Sequence, residues 1–310
     1  MQRLYVITGC TASGKASLAT ALARRYGGQL LSVDSMKIYR GMTLGTAKPP
    51  PEVLAEIPHH AIDVADPWRG CSFTVDDYRR LADDAVAAIA GAGDVVIASG
   101  GTNLYLKVLL EGMFAGPGES KELRAALKAR AAAEGVAALH AALDEVDPAA
   151  AERIHPNDER RIIRALEVYD LTGTPISDLQ TQWDRRRPRY DYRMIILRRG
   201  REDGNRRINA RVVRMIERGL VEEVRGLWSD PRGLNHQAAA ALGYAEIIRH
   251  LEGEWPLDEA IERIKINTRR FAKNQRTWLK RFTDARYFDL EPDSTVEGVL
   301  DRAGELLELG

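Results

Sequence analysis

The segment Gly9-Cys10-Thr11-Ala12-Ser13-Gly14-Lys15-Ala16 follows the apolar run from Leu4 to Thr8 and leads into a helical pattern. A glycine-bounded loop between a strand and a helix can close its backbone N–H groups around phosphate oxygens. The helix start favours negative charge, and Lys15 adds a point charge. Phosphate-binding residues are therefore expected at Gly9, Cys10, Thr11, Ala12, Ser13, Gly14, Lys15 and Ala16. The last position departs from the motif, which places a metal-binding hydroxyl there. Ser17 lies about 100° further round the helix and cannot simply substitute. A second departure is in the run Val95-Val96-Ile97-Ala98-Ser99, which ends in Gly100-Gly101-Thr102 rather than in the acid that holds Mg²⁺ in phosphate-loop nucleotidases. The first leaves phosphate binding intact but argues against ordinary metal coordination; the second argues against ATP hydrolysis and for a cradle holding a phosphate group that leaves.

Around this loop, short apolar runs alternate with helical patterns over the first hundred residues, the signature of a parallel α/β sheet. Strands are expected at Leu4 to Thr8, Leu30 to Val33, Ala61 to Val64 and Val95 to Ser99. Thr74-Val75-Asp76-Asp77 opens a helix with Tyr78, Leu81, Ala85, Val86 and Ile89 on one face, ended by Gly91 and Gly93. After Gly112, Gly116-Pro117-Gly118 breaks the chain, and helical periodicity without a convincing strand runs to about Pro188. Its connectors are Asp147-Pro148, His155-Pro156-Asn157-Asp158 and Thr172-Gly173-Thr174-Pro175. A strand resumes at Tyr192 to Leu197, helices follow at Ile208 to Leu227 and Leu257 to Phe282, and a last strand lies near Arg286 to Asp289. The expected fold is α/β: a P-loop NTPase-like parallel sheet with flanking helices and an inserted all-helical domain. The core would be 1–117 with 190–310, and the insert 118–189.

Composition narrows the class. The 310 residues carry 45 basic and 45 acidic side chains with 45% hydrophobic content, which excludes a disordered or fibrous chain. No run approaches the roughly 18 apolar residues of a membrane helix, and the start lacks a signal-peptide layout, so a cytoplasmic protein without membrane contact is expected. Cys10 and Cys71 lack disulfide-framework or metal spacing. Neutrality hides two basic segments: Arg153 to Arg214 holds 16 arginines against 9 acids, and Arg263 to Arg286 holds nine basic residues against Asp284 alone. Each fits a phosphate-backbone footprint, and each also fits a solvated helix face.

Asp34 ends the second strand, where side chains converge on phosphates bound by the loop; it can bind metal, remove a proton, or merely cap a turn. Together the motifs resemble the tRNA dimethylallyltransferases (isopentenyltransferases), which attach a five-carbon allyl group to adenine N6 beside the anticodon. The similarity lies in Gly9 to Lys15, Asp34-Ser35, Tyr39-Arg40-Gly41-Met42, Gly45-Thr46-Ala47-Lys48-Pro49 and Gly100-Gly101-Thr102-Asn103-Leu104-Tyr105. It continues in Arg153 to Asp158 with Arg161, Arg164 to Val168, Arg207 to Val212, Leu242-Gly243-Tyr244, Thr268 to Lys273, Gln275 and Trp278. It spans nearly the whole chain.

The resemblance implies transfer of a dimethylallyl group from dimethylallyl diphosphate to tRNA. The P-loop and Arg207 would hold the diphosphate, Asp34 would act as general base, and Thr102 would position the amine. It places tRNA contacts at Asp34, Ser35, Met36, Lys37, Thr102, Arg124, Arg160, Arg161, Arg164, Lys273 and Arg276, and implies Mg²⁺ as cofactor with metal ligands unknown. The target adenosine would be extruded from the anticodon stem-loop. A monomer is expected. Lys37 stands where many relatives have glutamine, and Asn274 interrupts a usually basic run. Mg²⁺ would then be held through the diphosphate and water, with Asp34, at reduced affinity. Competing readings are an isopentenyltransferase acting on free adenine nucleotide, a small-molecule kinase, and an inactive RNA-binding protein.

Overall fold

The computed structural model describes residues 2–114, 116–180 and 188–309. Six strands, β1 (Arg3–Gly9), β2 (Gly28–Val33), β3 (His59–His60), β4 (Val95–Gly100), β5 (Asp191–Arg199) and β6 (Arg286–Leu290), form one sheet in the order β3-β2-β4-β1-β5-β6. Every pairing is parallel. The strands read as apolar runs because both faces of the sheet are covered. Leu4, Val6, Leu31, Val33, Val96, Ala98, Met194 and Ile196 pack to one side. Tyr5, Ile7, Leu30, Ile97, Ile195 and Leu197, offset by one residue, pack to the other with Leu18 and Leu22 of α1 (Lys15–Tyr26).

The chain leaves this sheet after α4 (Asn103–Glu111) and divides into two compact units, Met1–Leu110 with Arg189–Gly310, and Glu111–Pro188. The second therefore starts earlier than the expected 118. At the return point Arg189 N–H donates to Leu110 O at 2.8 Å, so the departing and returning chain lie side by side. The helical unit is α5 (Lys121–Glu134), α6 (Val136–Val146), α7 (Pro148–Arg153), α8 (Glu159–Thr172) and α9 (Ile176–Leu179), around Leu127, Leu139, Leu143, Ile162, Ile163 and Val168. Asp147 and Asp158 accept hydrogen bonds from Ala150 and Arg161 N–H and cap α7 and α8. Arg185, Arg186 and Arg187 of the first basic segment lie outside the described residues.

Three expectations need correction. The strand sought at Ala61 to Val64 is instead His59–His60, because Ala61 (φ 61°) and Asp63 (φ 55°) are in the left-handed region and cannot extend a ladder. The helix expected over Ile208 to Leu227 is two, α10 (Arg201–Glu217) and α11 (Leu220–Trp228), separated at Gly219 with φ 95°. The helix expected to Phe282 ends sooner, as α14 (Leu257–Leu279). Five helices carried no expectation: α2 (Pro51–Glu56), α4, α12 (His236–Ala239), α13 (Tyr244–Leu251) and α15 (Val296–Leu307). The helix opened by Thr74 is α3 (Val75–Gly91), with Thr74 and Asp77 in a reciprocal capping box.

Candidate active site

The order β2-β4-β1 puts the carboxyl ends of three strands side by side, and register aligns them: Gly100 of β4 is level with Val33 on one side and Thr8 on the other. The phosphate loop after β1, Asp34 after β2 and Thr102 after β4 therefore share one edge of the sheet. Thr102 N–H donates to Val33 O at 3.1 Å and fastens two of these ends together.

The loop is held from its carbonyl side. Arg207 Nε donates to Ala12 O at 3.3 Å and Arg199 Nε to Ser13 O at 3.1 Å. Arg199 is itself fixed by Asp203 at 3.1 Å and by Glu291 O at 2.8 Å. These contacts maintain Ala12 at φ 65°, a conformation costing a non-glycine residue about 1 kcal/mol. No side chain caps the start of α1, so its first N–H groups are available to an anion. Gln275 of α14 clamps the loop to β4: its Oε1 accepts from Thr11 N–H at 2.8 Å and its Nε2 donates to Gly101 O at 2.7 Å. A Cβ on Gly101 would lie 2.6 Å from that Nε2, so the approach requires glycine. Cys10 packs with Ile208 of α10 and Ala272 of α14, seating both helices against the loop.

Asp34 Oδ1 accepts from the N–H groups of Met36 (2.9 Å) and Lys37 (3.3 Å), a turn that fixes the carboxylate and leaves Oδ2 unengaged among the described residues. Thr102 Oγ1 accepts from Ser35 N–H at 3.0 Å and donates to Ser35 Oγ at 3.3 Å, keeping one lone pair. Three part-buried cations act electrostatically on Asp34. Burial, with Arg211 as a like-charged neighbour, pushes the Lys15 ammonium down to about 8. Burial likewise lowers Lys37 and Arg211, and in both the Asp34 charge opposes the shift. Neither Lys37 nor Arg211 has its side chain in a hydrogen bond or ion pair among the described residues. Ser13 Oγ and Asn103 Oδ1 are also buried without hydrogen-bond partners. Cations without side-chain partners, together with the uncapped N–H groups at the start of α1, can meet an anion at this edge.

The residues expected from the sequence divide accordingly. Gly9 to Lys15, Asp34, Ser35, Met36, Lys37, Thr102 and Arg207 meet at this edge. Arg276, expected on tRNA, places Nη1 3.9 Å from Cys10 Sγ, against the loop, whereas Lys273 is exposed on α14. Arg124, Arg160, Arg161 and Arg164 belong to the helical unit. Arg160 and Arg161 are exposed, but Arg124 and Arg164 are bound to the buried Glu167 at 2.9 and 2.6 Å. Sequence reasoning gave no site role to Arg199, Arg211 or Gln275. Arg199 could have been found from its place at the end of β5, beside the loop strand. Gln275 could have been found as the one uncharged amide buried within a basic helix.

The Gly45-Thr46-Ala47-Lys48-Pro49 and Leu242-Gly243-Tyr244 motifs prove to be scaffold. Glu223 accepts from Leu44 N–H at 2.7 Å and from the Tyr244 hydroxyl at 2.5 Å, and a Cβ on Gly45 would fall 2.4 Å from the Tyr244 ring. Together they brace the segment that follows Lys37.

Side chains at this edge do not fit a resident Mg²⁺. Ala16 is exposed and has no hydroxyl, Ser17 is exposed beside it, and Asp34 is the carboxylate present. Among the described residues no group of three histidine, cysteine, aspartate or glutamate side chains could hold a metal ion.

Fold and site thus define an α/β phosphate-loop protein whose anion cradle faces a carboxylate and a hydroxyl across the ends of three adjacent parallel strands. Within that class the chain belongs to the IPP transferase family, whose profile matches residues 37–282. It is 46% identical over 279 residues to a tRNA dimethylallyltransferase of Geobacter sulfurreducens, covering 90% of this chain and 89% of that one. A tRNA dimethylallyltransferase of Geobacillus kaustophilus is 43% identical, over 93% and 91% of the two chains. The crystal structure of the full-length tRNA isopentenylpyrophosphate transferase from Bacillus halodurans superposes with a TM-score of 0.71 at 36% identity, over 99% of this chain and 97% of that one. A eukaryotic dimethylallyltransferase acting on tRNA gives a TM-score of 0.77 at 26% identity, over 94% and 74%.

Proposed function

We propose that this chain transfers a dimethylallyl group from dimethylallyl diphosphate to N6 of the adenosine beside the anticodon of tRNA, releasing diphosphate. The observation that carries the reading is the facing of the phosphate loop and Asp34 across β4, with unneutralised cations around them. The similarity to tRNA dimethylallyltransferases supplies the substrate classes.

In the reaction the carbon–oxygen bond of the allyl diphosphate breaks and its electron pair leaves with the diphosphate. The loop N–H groups and Lys15 meet that growing charge. The N6 lone pair forms the new carbon–nitrogen bond, and the N6 proton passes to Asp34 Oδ2. Thr102, with one lone pair left on Oγ1, accepts a hydrogen bond from the N6–H that stays on the nitrogen, and so orients the amine. Since N6 lies within stacked bases, the adenosine must turn out of its loop to reach this edge. In this reading Lys37 contacts the base, and the exposed Arg160, Arg161 and Lys273 each bind tRNA phosphates. The end of β4 offers Thr102 where a kinase would need an acid, which favours transfer from an allyl diphosphate over transfer from ATP.

Mass spectrometry of nucleosides from tRNA incubated with enzyme, dimethylallyl diphosphate and Mg²⁺ tests this reading. A dimethylallyl adduct on the adenosine next to the anticodon is expected with native protein and not with Asp34→Ala. Equal product from both would remove Asp34 as base, and modification of free AMP but not of tRNA would replace the polynucleotide substrate.

A further inference from the structure

The proposed reaction needs a diphosphate to be held, and phosphate loops ordinarily share that task with Mg²⁺. In such loops the metal is bound by the Ser/Thr hydroxyl after the lysine and by an acid at a neighbouring strand end, because Mg²⁺ requires near-octahedral oxygen ligands at short range. This chain lacks both: Ala16 follows Lys15, and β4 runs into Gly100-Gly101-Thr102. The nearest hydroxyls do not take over. Ser17 is exposed on another face of α1. Ser13 Oγ is buried, 2.8 Å from where a Cβ on Gly9 would stand, so it lies beneath the loop against β1.

The same edge carries positive charge in excess. Lys15, whose Nζ donates to Cys10 O at 3.2 Å inside the loop, Lys37 and Arg211 all act electrostatically on Asp34, and the like charges work against one another: Arg211 and Lys37 both lower Lys15, and Arg211 lowers Lys37. Such crowding is unfavourable in the free protein and is relieved when a multiply charged anion enters. Arg207, although it donates to Ala12 O, is lowered by burial and by Arg199 and adds to the same field.

We propose that this chain neutralises its bound diphosphate with Lys15, Arg207 and Arg211 instead of with a protein-held Mg²⁺, so that diphosphate binding gains nothing from the metal. The inference rests on the prenyl-transfer reading but concerns only how the leaving group is held. Mg²⁺ that reaches the site comes as a counter-ion of the diphosphate and competes with these side chains for its oxygens. Prenyl transfer then tolerates low Mg²⁺ better than in a relative with a hydroxyl at this position.

Isothermal titration of the full chain with inorganic diphosphate, in EDTA and in excess Mg²⁺, tests this for the native protein and for Ala16→Thr. Because Ala16 is exposed in the first turn of α1, the threonine has room, and thermal melts establish that both proteins are folded. In the native protein Mg²⁺ is expected to leave the dissociation constant within about threefold or to weaken binding, whereas in Ala16→Thr it tightens binding roughly tenfold or more. Ala16→Ser provides the same restoration should the threonine variant fail to fold. Tenfold tightening by Mg²⁺ in the native protein would overturn the inference and leave the transfer reading intact. Metal indifference in a folded hydroxyl variant would overturn the attribution to position 16. Absence of diphosphate binding in every condition would sink both the inference and the reading beneath it.

Discussion

Arginine and lysine have opposite fates around two carboxylates of this molecule, Glu167 in the helical unit and Asp34 at the sheet edge. In the helical unit Glu167 is wholly buried and accepts from Arg124 through both oxygens at 2.9 Å, from Arg164 at 2.6 Å and from Ser120 N–H at 2.9 Å. Burial alone would raise that carboxyl. The two arginines outweigh it and hold the group below the usual range. Arg164 also donates to Pro117 O at 2.9 Å and so ties the segment before α5 to α8. These charges are satisfied within the protein and serve its folding. At the sheet edge, by contrast, Lys37 and Arg211 act on Asp34 while neither side chain has a hydrogen-bond or ion-pair partner among the described residues. A satisfied network and an unsatisfied one, built from the same residue types, separate what a fold keeps for itself from what it holds ready for a ligand.

The sharpest way to break this distinction is to remove one carboxylate from each unit. Asp34→Asn should reduce prenyl transfer by roughly 10²–10⁴-fold while leaving the thermal midpoint and inorganic diphosphate binding almost unchanged. A parallel loss of stability would show that Asp34 is a turn-capping residue and little else. Glu167→Ala should do the reverse. Leaving two guanidiniums without their buried partner should cost the helical unit about 3 kcal/mol, read in denaturant unfolding, with diphosphate affinity of the core untouched.

Smaller effects sharpen the picture within the core. Gln275→Ala unties Thr11 from Gly101 and should cost about 1–2 kcal/mol in stability, together with a several-fold weaker hold on diphosphate. The smallest expected effect is on pH dependence. Because the Lys15 ammonium lies at about 8 in the free protein, it is charged at pH 7 and loses its proton as pH rises past that value. Diphosphate, which binds the charged form, should therefore bind progressively more weakly between pH 8 and 9, by at most about tenfold per pH unit. Lys15→Met should lose that slope, and an identical pH profile in the variant would show that another group sets it.

Much of this architecture can be read from residue order. Near-continuous burial along β1, β2, β4 and β5 follows from short apolar runs bounded by turn residues, and the caps at Thr74, Asp147 and Asp158 are written in side chains that bond their own neighbours. The phosphate loop is legible for the same reason: its function depends on consecutive residues. Where local sequence misled, backbone conformation was the cause. Ala61 and Asp63 adopt left-handed angles because of the contacts around them, and nothing in their side chains announces it. No helix among the described residues is long and apolar enough to cross a membrane, as the lack of long apolar runs implied.

By itself, the sequence determined the parallel α/β core, the interrupting helices, the anion loop and the absence of a hydroxyl at position 16, since each depends on neighbours within a few residues. Tertiary structure alone decided that Gln275 spans from Thr11 to Gly101, that Arg199 and Arg207 grip the loop from behind, and that Arg211, without a side-chain partner among the described residues, acts on Asp34. It also decided that Arg124 and Arg164 are occupied by Glu167. Charge on a side chain is a property of composition. Whether that charge is neutralised depends on which distant residue the fold brings within a few ångströms of it, and on how much water remains between them.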